Sequence, residues 1–264
     1  MRPKSLPLAA LAAFAIAGPA SAATLLFADN FNDDPNDQAS TFNNNLASTQ
    51  SGTIGTTTYS LLGTGNAAQH SNGSEMLVAN FSGGNFGRAS LDNNFATQAN
   101  SLNQVLVFSF ELRAVSGFAN GDEWGAFTVG GSQNPFVNEG GGAAILFRQN
   151  GGIQAFNAGT DVINTTGWSV GDIVTVTLSG TGGVGSAFNG NGSVVNYNVG
   201  GTDLGSITLA QQTDAYMTFG ISGPNDGNTS IFKIDDVSVT AIPEPAAALL
   251  GSLGMIALLR RRRA

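Results

Sequence analysis

No cysteine occurs anywhere in the 264 residues. That excludes disulfides, thiol nucleophiles and cysteine-ligated metal sites together, so the fold must rest on its core. Histidine is nearly as scarce, with His70 in the polar run Gln69-His70-Ser71-Asn72 as the one example. A Ser-His-Asp arrangement would have to be built on it, and no nucleophile elbow stands nearby. His70 is expected to be solvated. Basic residues number ten, and six of them lie at the extreme ends: Arg2, Lys4 and Arg260 to Arg263. Between the ends stand Arg88, Arg113, Arg148 and Lys233 against 18 acidic residues, a net charge of about −14. Such a surface repels phosphate backbones and anionic membranes, which excludes nucleic-acid binding. Helical periodicity of useful length is also missing between Ala23 and Ala241.

What is present is glycine, 36 residues of it, with abundant Asn, Thr and Ser. Disorder and a fold of many short strands both fit that composition. Seventeen Phe decide for strands, because a disordered chain is poor in aromatics. The clearest alternation runs from Gln104 to Val115, with Leu106, Phe108, Phe110 and Leu112 on one face and Ser109, Glu111 and Arg113 on the other. Similar patterns predict strands over Thr24–Phe31, Met76–Phe81, Gly125–Val129, Ala143–Gln149, Ile153–Asn157 and Asp172–Ser179. Four more are expected over Ser193–Val199, Leu204–Leu209, Tyr216–Ser222 and Ile231–Thr240. Asn150-Gly151, between Phe147 and Ile153, is a hairpin signal. The polar stretch from Asp33 to Ser74 reads as long loops. No repeat of fixed period is visible, which argues against a solenoid or propeller. The pattern predicts an all-β fold, an antiparallel two-sheet β-sandwich of jelly-roll type, over residues 23–240.

The two ends read differently. Arg2 and Lys4 precede an apolar run from Leu6 to Ala17, and Ala20-Ser21-Ala22 follows as a small-residue cleavage site. Residues 1–22 are therefore expected to be a signal peptide with a helical apolar segment, which places the mature domain outside the inner membrane. At the other end, Ala246 to Leu259 is 14 uncharged residues followed directly by Arg260, Arg261, Arg262 and Arg263. Starting the span at Ala241 brings this hydrophobic helix closer to the roughly 20 residues that cross a bilayer, and the arginines would stay cytoplasmic. Pro243-Glu244-Pro245 lies just before it, and two prolines keep that backbone extended.

Pro-Glu-Pro, apolar run and arginine cluster, in that order over residues 241–264, resemble the PEP-CTERM sorting signal of Gram-negative bacteria. The resemblance implies transient membrane anchoring, cleavage near the motif by an exosortase-type processing protease, and release to the cell surface or extracellular matrix.

A second resemblance concerns the domain. Phe27-Ala28-Asp29-Asn30-Phe31 near the start and Phe232 to Val239 near the end look like the terminal strands of concanavalin-like and laminin-G-like jelly rolls. Many carbohydrate-binding modules share that look. It implies a structural calcium held by Asp29, Asn30 and Asp235 or Asp236, with the alternative that these residues merely end strands. Asn30 to Asp34 lacks the glycine that an EF-hand loop needs.

Three functions stay open at this point. Trp124, in Gly121-Asp122-Glu123-Trp124-Gly125, offers a ring for a sugar with Asp122 and Glu123 for its hydroxyls, or else covers the sandwich edge. Trp168 is expected in the core. A non-catalytic surface protein that binds extracellular polysaccharide is the leading reading. A glycosidase or lyase would need Glu111, Glu123 or Glu139 to converge in a cleft. A purely structural matrix component would show no exposed aromatic platform.

Overall fold

A computed structural model of the chain describes residues 22–31, 50–55, 57, 59–63, 68–71, 75–79, 86–101, 104–116, 124–130, 142–157, 160–180, 186–188, 192–210, 212–222 and 231–243. The signal segment, the tail from Glu244 onward, and Asp122, Glu123 and Glu139 lie outside the described residues. Among the described residues no helix is long and apolar enough to cross a membrane.

The strands are β1 (Thr24–Asp29), β2 (Gln50–Ser51), β3 (Tyr59–Gly63), β4 (Ala68–Ser71), β5 (Glu75–Ala79), β6 (Phe86–Leu91), β7 (Val105–Ser116) and β8 (Trp124–Gly130). They continue as β9 (Ala143–Phe147), β10 (Gly152–Asn157), β11 (Thr160–Thr166), β12 (Ile173–Gly180), β13 (Ser193–Val199), β14 (Thr202–Leu209), β15 (Tyr216–Ser222) and β16 (Ile231–Ile242). A short helix, α1 (Ala96–Ser101), interrupts them. All pairings among the described residues are antiparallel. A nine-stranded sheet runs β14-β13-β12-β7-β16-β1-β2, with β5 also on β16 and β4 on β5. A seven-stranded sheet runs β11-β10-β9-β8-β15-β6-β3. The two-sheet sandwich expected from the alternation is what forms, with the terminal strands β1 and β16 paired.

Strand β7 shows why. Its odd positions from Val105 to Glu111 face outward, while Leu106, Phe108, Phe110 and Leu112 are fully buried. Phe110 lies 5.1 Å from Phe127, 5.2 Å from Phe219 and 6.4 Å from Phe147 between ring centroids. One aromatic from the nine-stranded sheet thus meets three from the seven-stranded one. Phe95, beside α1, adds an edge-on contact to Phe108 at 5.9 Å. Tight packing also sets backbone choice: a Cβ at Gly125 would collide with the Phe232 ring, so β8 needs glycine there. The Asn150-Gly151 hairpin joins β9 to β10 as expected, with Gly151 at φ 86 and Arg148 N–H donating to the Gly152 carbonyl at 2.8 Å. Trp168 packs edge-on against Phe147 at 6.3 Å and donates its Nε1–H to the Arg148 carbonyl at 2.8 Å. It is half-buried and packs against the margin of the core, rather than within it as expected.

Several expectations need correction. The stretch from Asp33 to Ser74 contains β2, β3 and β4, so His70 sits in a strand, opposite Met76, rather than in a loop. Strands β6 and β11 were not anticipated. In β6 the sequence Phe-Gly-Arg-Ala-Ser-Leu alternates between small and polar residues, and both faces are buried at Arg88 to Leu91. In β11 an extra residue at Val162, between the pairs Ala155–Ile163 and Phe156–Asp161, breaks the period of two. Helix α1 is too short to show periodicity, but it has a cap: Asn94 Oδ1 accepts the Ala96 N–H at 3.1 Å.

Candidate functional site

The outer face of the seven-stranded sheet carries the first candidate. Register places Ser90, Thr218, Thr128, Ala144 and Phe156 in one cross-strand row. Arg88, Gly220, Ala126, Leu146 and Gln154 form the next row, and Ser222 and Trp124 begin a third. The centre carries small residues, Gly220, Ala126 and Ala144, and is buried together with Ser90, Thr128 and Thr218. Trp124 and Phe156 rise beside it, half-buried, and pack on Ala126, Ala144 and Leu146 as a small cluster separate from the main core. Hydroxyls lie along one side, with Thr218 Oγ1 donating to Ser90 Oγ at 2.9 Å. Amides lie along the other. Gln154 Oε1 accepts from Arg148 Nε at 3.1 Å and Nη2 at 2.9 Å, and Gln154 Nε2 donates to Asp161 Oδ2 at 2.7 Å. Of these rows Trp124, Phe156 and Gln154 are half-buried and reach solvent, an aromatic pair with an amide of the kind that edges small-molecule sites.

The sequence pointed to Trp124 here but missed its neighbours. Asp122 and Glu123, its expected partners, lie outside the described residues. The missed signal was positional. Once β8 is placed, Trp124, Ala126 and Thr128 share a face by period two.

A second cluster lies across the sandwich, on the outer face of the nine-stranded sheet. Carboxylate oxygens of Glu111, Asp235 and Asp236 lie within 4.8 Å of one another, close enough for a metal ion. Arg113 already enters this group. Its Nη2 donates to Asp235 Oδ2 at 2.7 Å and its Nη1 pairs with Glu111 Oε1 at 3.1 Å. The hydrogen bond to Asp235 is the main cause that raises the guanidinium pKa above its usual value. The remaining Asp235 oxygen, Oδ1, accepts the Asp236 N–H at 2.7 Å. Asp236 has φ 47 and lies in a bulge between Asp235 and Ser238, which turns its side chain into solvent.

Asp29 does not join them. It pairs with Val237 and points inward, fully buried, whereas Asp235 pairs with Glu111 on the outer face. Asp29 Oδ1 accepts the Phe31 N–H at 3.1 Å and fixes that residue at φ 48, so this carboxylate ends a strand. Burial above all, with the Asp29 charge behind it, pushes the Tyr59 phenol well up. Asn30, beside Asp29, is exposed. The donor set expected across both terminal strands is therefore divided by the sheet, and Glu111 takes the place assigned to Asp29.

Two antiparallel sheets packed face to face with paired terminal strands define the class: an all-β, antiparallel two-sheet β-sandwich. No protein-family model matches the chain, and no curated protein matches it. Among solved structures, it is similar to the endo-1,3-beta-glucanase of Streptomyces sioyaensis, with 14% identity and a TM-score of 0.53, over 86% of this chain and 99% of that one. It is also similar to botulinum neurotoxin type C, whose cell entry depends on two ganglioside molecules. That match has 14% identity and a TM-score of 0.50, over 84% of this chain and 48% of the toxin chain. The carbohydrate recognition domain of Emp47p matches at 14% identity and a TM-score of 0.47, over 69% and 88% of the two chains. At such identities the likeness is one of fold.

Proposed function

We propose that the domain is a non-catalytic, exported polysaccharide-binding module whose glycan lies on the outer face of the seven-stranded sheet. The observation that carries this reading is Trp124, half-buried beside the small residues Gly220, Ala126 and Ala144. A pyranose ring can stack on the accessible part of the indole, while Ser90, Thr128 and Thr218, 0–4% exposed, hold the strands behind it rather than meet its hydroxyls. A glucanase and a ganglioside-dependent toxin with this fold support a saccharide ligand without naming it. Against catalysis stands Glu111. It is on the opposite side of the sandwich from Trp124 and is tied to Arg113. Against a purely structural component assembling through sheet edges stand the bulges in β11 and β14, which blunt both strands for pairing.

A glycan array on the mature chain followed by calorimetry tests this. Trp124→Ala should weaken the selected glycan at least about tenfold, equivalent to about 1.4 kcal/mol. Trp124→Phe should keep most of the affinity. Equal binding by Trp124→Ala, or an array without a hit, overturns the proposal.

The same proposal includes calcium at Glu111, Asp235 and Asp236, oxygen donors suited to a hard cation. It also includes export, sorting through Pro243, Glu244 and Pro245, and release by an exosortase-type protease to the cell surface or the medium. Intact mass of the chain recovered from its host should correspond to a species beginning near Ala23 and ending near Pro245. A chain that retains Arg260 to Arg263 sinks the sorting reading.

A further inference from the structure

Strand β1 begins at Thr24 and β16 ends at Ile242, and Thr24 pairs with Ala241. The two segments that the sequence assigns to the membrane thus leave the domain side by side, from one end of the nine-stranded sheet. The outer face at that end carries four apolar side chains, with Thr240 and Thr177 between and beside them. Leu25 and Ile242 are 42% and 39% exposed, and the half-buried Val105 and Val107 stand opposite Ile242 and Thr240. Further along the same strands come more hydroxyls, with Ser109 opposite Ser238 and Thr175. Charge appears at the far end, where Glu111, Arg113, Asp235 and Asp236 cluster and Lys233 pairs with Glu75 at 2.9 Å. Val170 and Ile173 are exposed too, but Ile173 pairs with Glu111 and Val170 lies two residues from Asp172, in acidic surroundings.

We infer that this end of the face, through Leu25, Val105, Val107 and Ile242, seats on the lipid bilayer while the C-terminal tail is still attached. The inference rests on the anchoring reading above and adds an orientation to it. Ile242 is followed by Pro243, so almost no spacer separates the sheet from the processing motif and the apolar run. A domain of net charge near −14 must keep its carboxylates away from anionic lipid, and the gradient along β7 and β16 does so. From Ile242 to Asp236 is six residues of strand, about 20 Å. An interfacial apolar surface sinks about 5–10 Å, so the acidic cluster stays in water. Four apolar side chains are too few to anchor the domain. They orient it, and the glycan face of the other sheet is then presented sideways, clear of the lipid.

The absence of cysteine gives a clean test, because single cysteines can be labelled without background. The full chain would be reconstituted in phosphatidylethanolamine vesicles containing phosphatidylglycerol and a quencher-bearing lipid. Fluorophores at Leu25→Cys and at Val107→Cys should lose about half their emission, as expected at interfacial depth, while one at Ile173→Cys should lose almost none. Two positions are used so that one variant that folds poorly, seen by melting, leaves the other to read. Equal emission at all three positions in chains that float with vesicles overturns the orientation and leaves anchoring intact. Chains that do not float overturn both.

Discussion

Phe110→Ala should cost about 3–5 kcal/mol and lower Tm by roughly 10 °C, with secondary structure kept at low temperature. The ring is buried and sits 5.1–6.4 Å from the rings of Phe127, Phe219 and Phe147, which come from three different strands of the opposite sheet. Removing it opens a cavity that no single neighbour can fill, because each of those rings is held by its own strand. Domains of this size are stable by about 5–15 kcal/mol, so the loss is a large fraction of the total. Ser109→Ala, one residue away on the outer face, should change stability by no more than about 0.5 kcal/mol. Denaturant melts of both variants decide the matter. A Phe110→Ala melt that matches wild type would mean that the two sheets do not depend on this aromatic contact.

The same alternation explains which strands are legible in the sequence and which are not. In β7 each apolar residue faces the partner sheet and each polar one faces water, so sequence and burial coincide. In β6, which the sequence does not announce, they do not, nor in β9, which is nevertheless expected as a strand over Ala143–Gln149. Ala143 to Phe147 is buried on both faces, and in β6 Arg88 and Ser90 are buried outside the main core. Periodicity cannot mark a face when neither face is wet. The acidic cluster is legible in part. Glu111 and Arg113 share a face by spacing alone, but only the β16–β7 register brings Asp235 opposite Glu111. Asp29 falls outside the cluster for a related reason. The terminal strands pair as expected, yet a bulge on β16 reverses which face Asp235 takes relative to Val237, the partner of Asp29. One inserted residue decides the side of the sheet, and composition does not reveal it.

Arg113→Met should destabilise the domain by about 2 kcal/mol and make its stability more dependent on calcium. The guanidinium bridges Asp235, whose side chain is 7% exposed, and Glu111, at 2.7 and 3.1 Å. Breaking a buried pair typically costs about 3–5 kcal/mol. Arg113 itself is 34% exposed, so water takes over part of its role and the figure must be discounted. Without the arginine, three carboxylates face one another within 4.8 Å and a divalent cation becomes their remaining counter-charge. A bound ion stabilises by RT ln(1 + [L]/Kd), about 2.7 kcal/mol when free calcium is 100 times Kd. Wild type should therefore melt slightly lower in chelator than in calcium, Arg113→Met much lower, and Arg113→Met with Asp236→Ala equally in both. The comparison separates the two counter-charges, because Met keeps most of the apolar stem that Arg113 lays along the sheet. Identical melting of wild type and of Arg113→Met in calcium and in chelator would overturn the cation site, leaving Glu111 and Asp235 as partners of Arg113 alone.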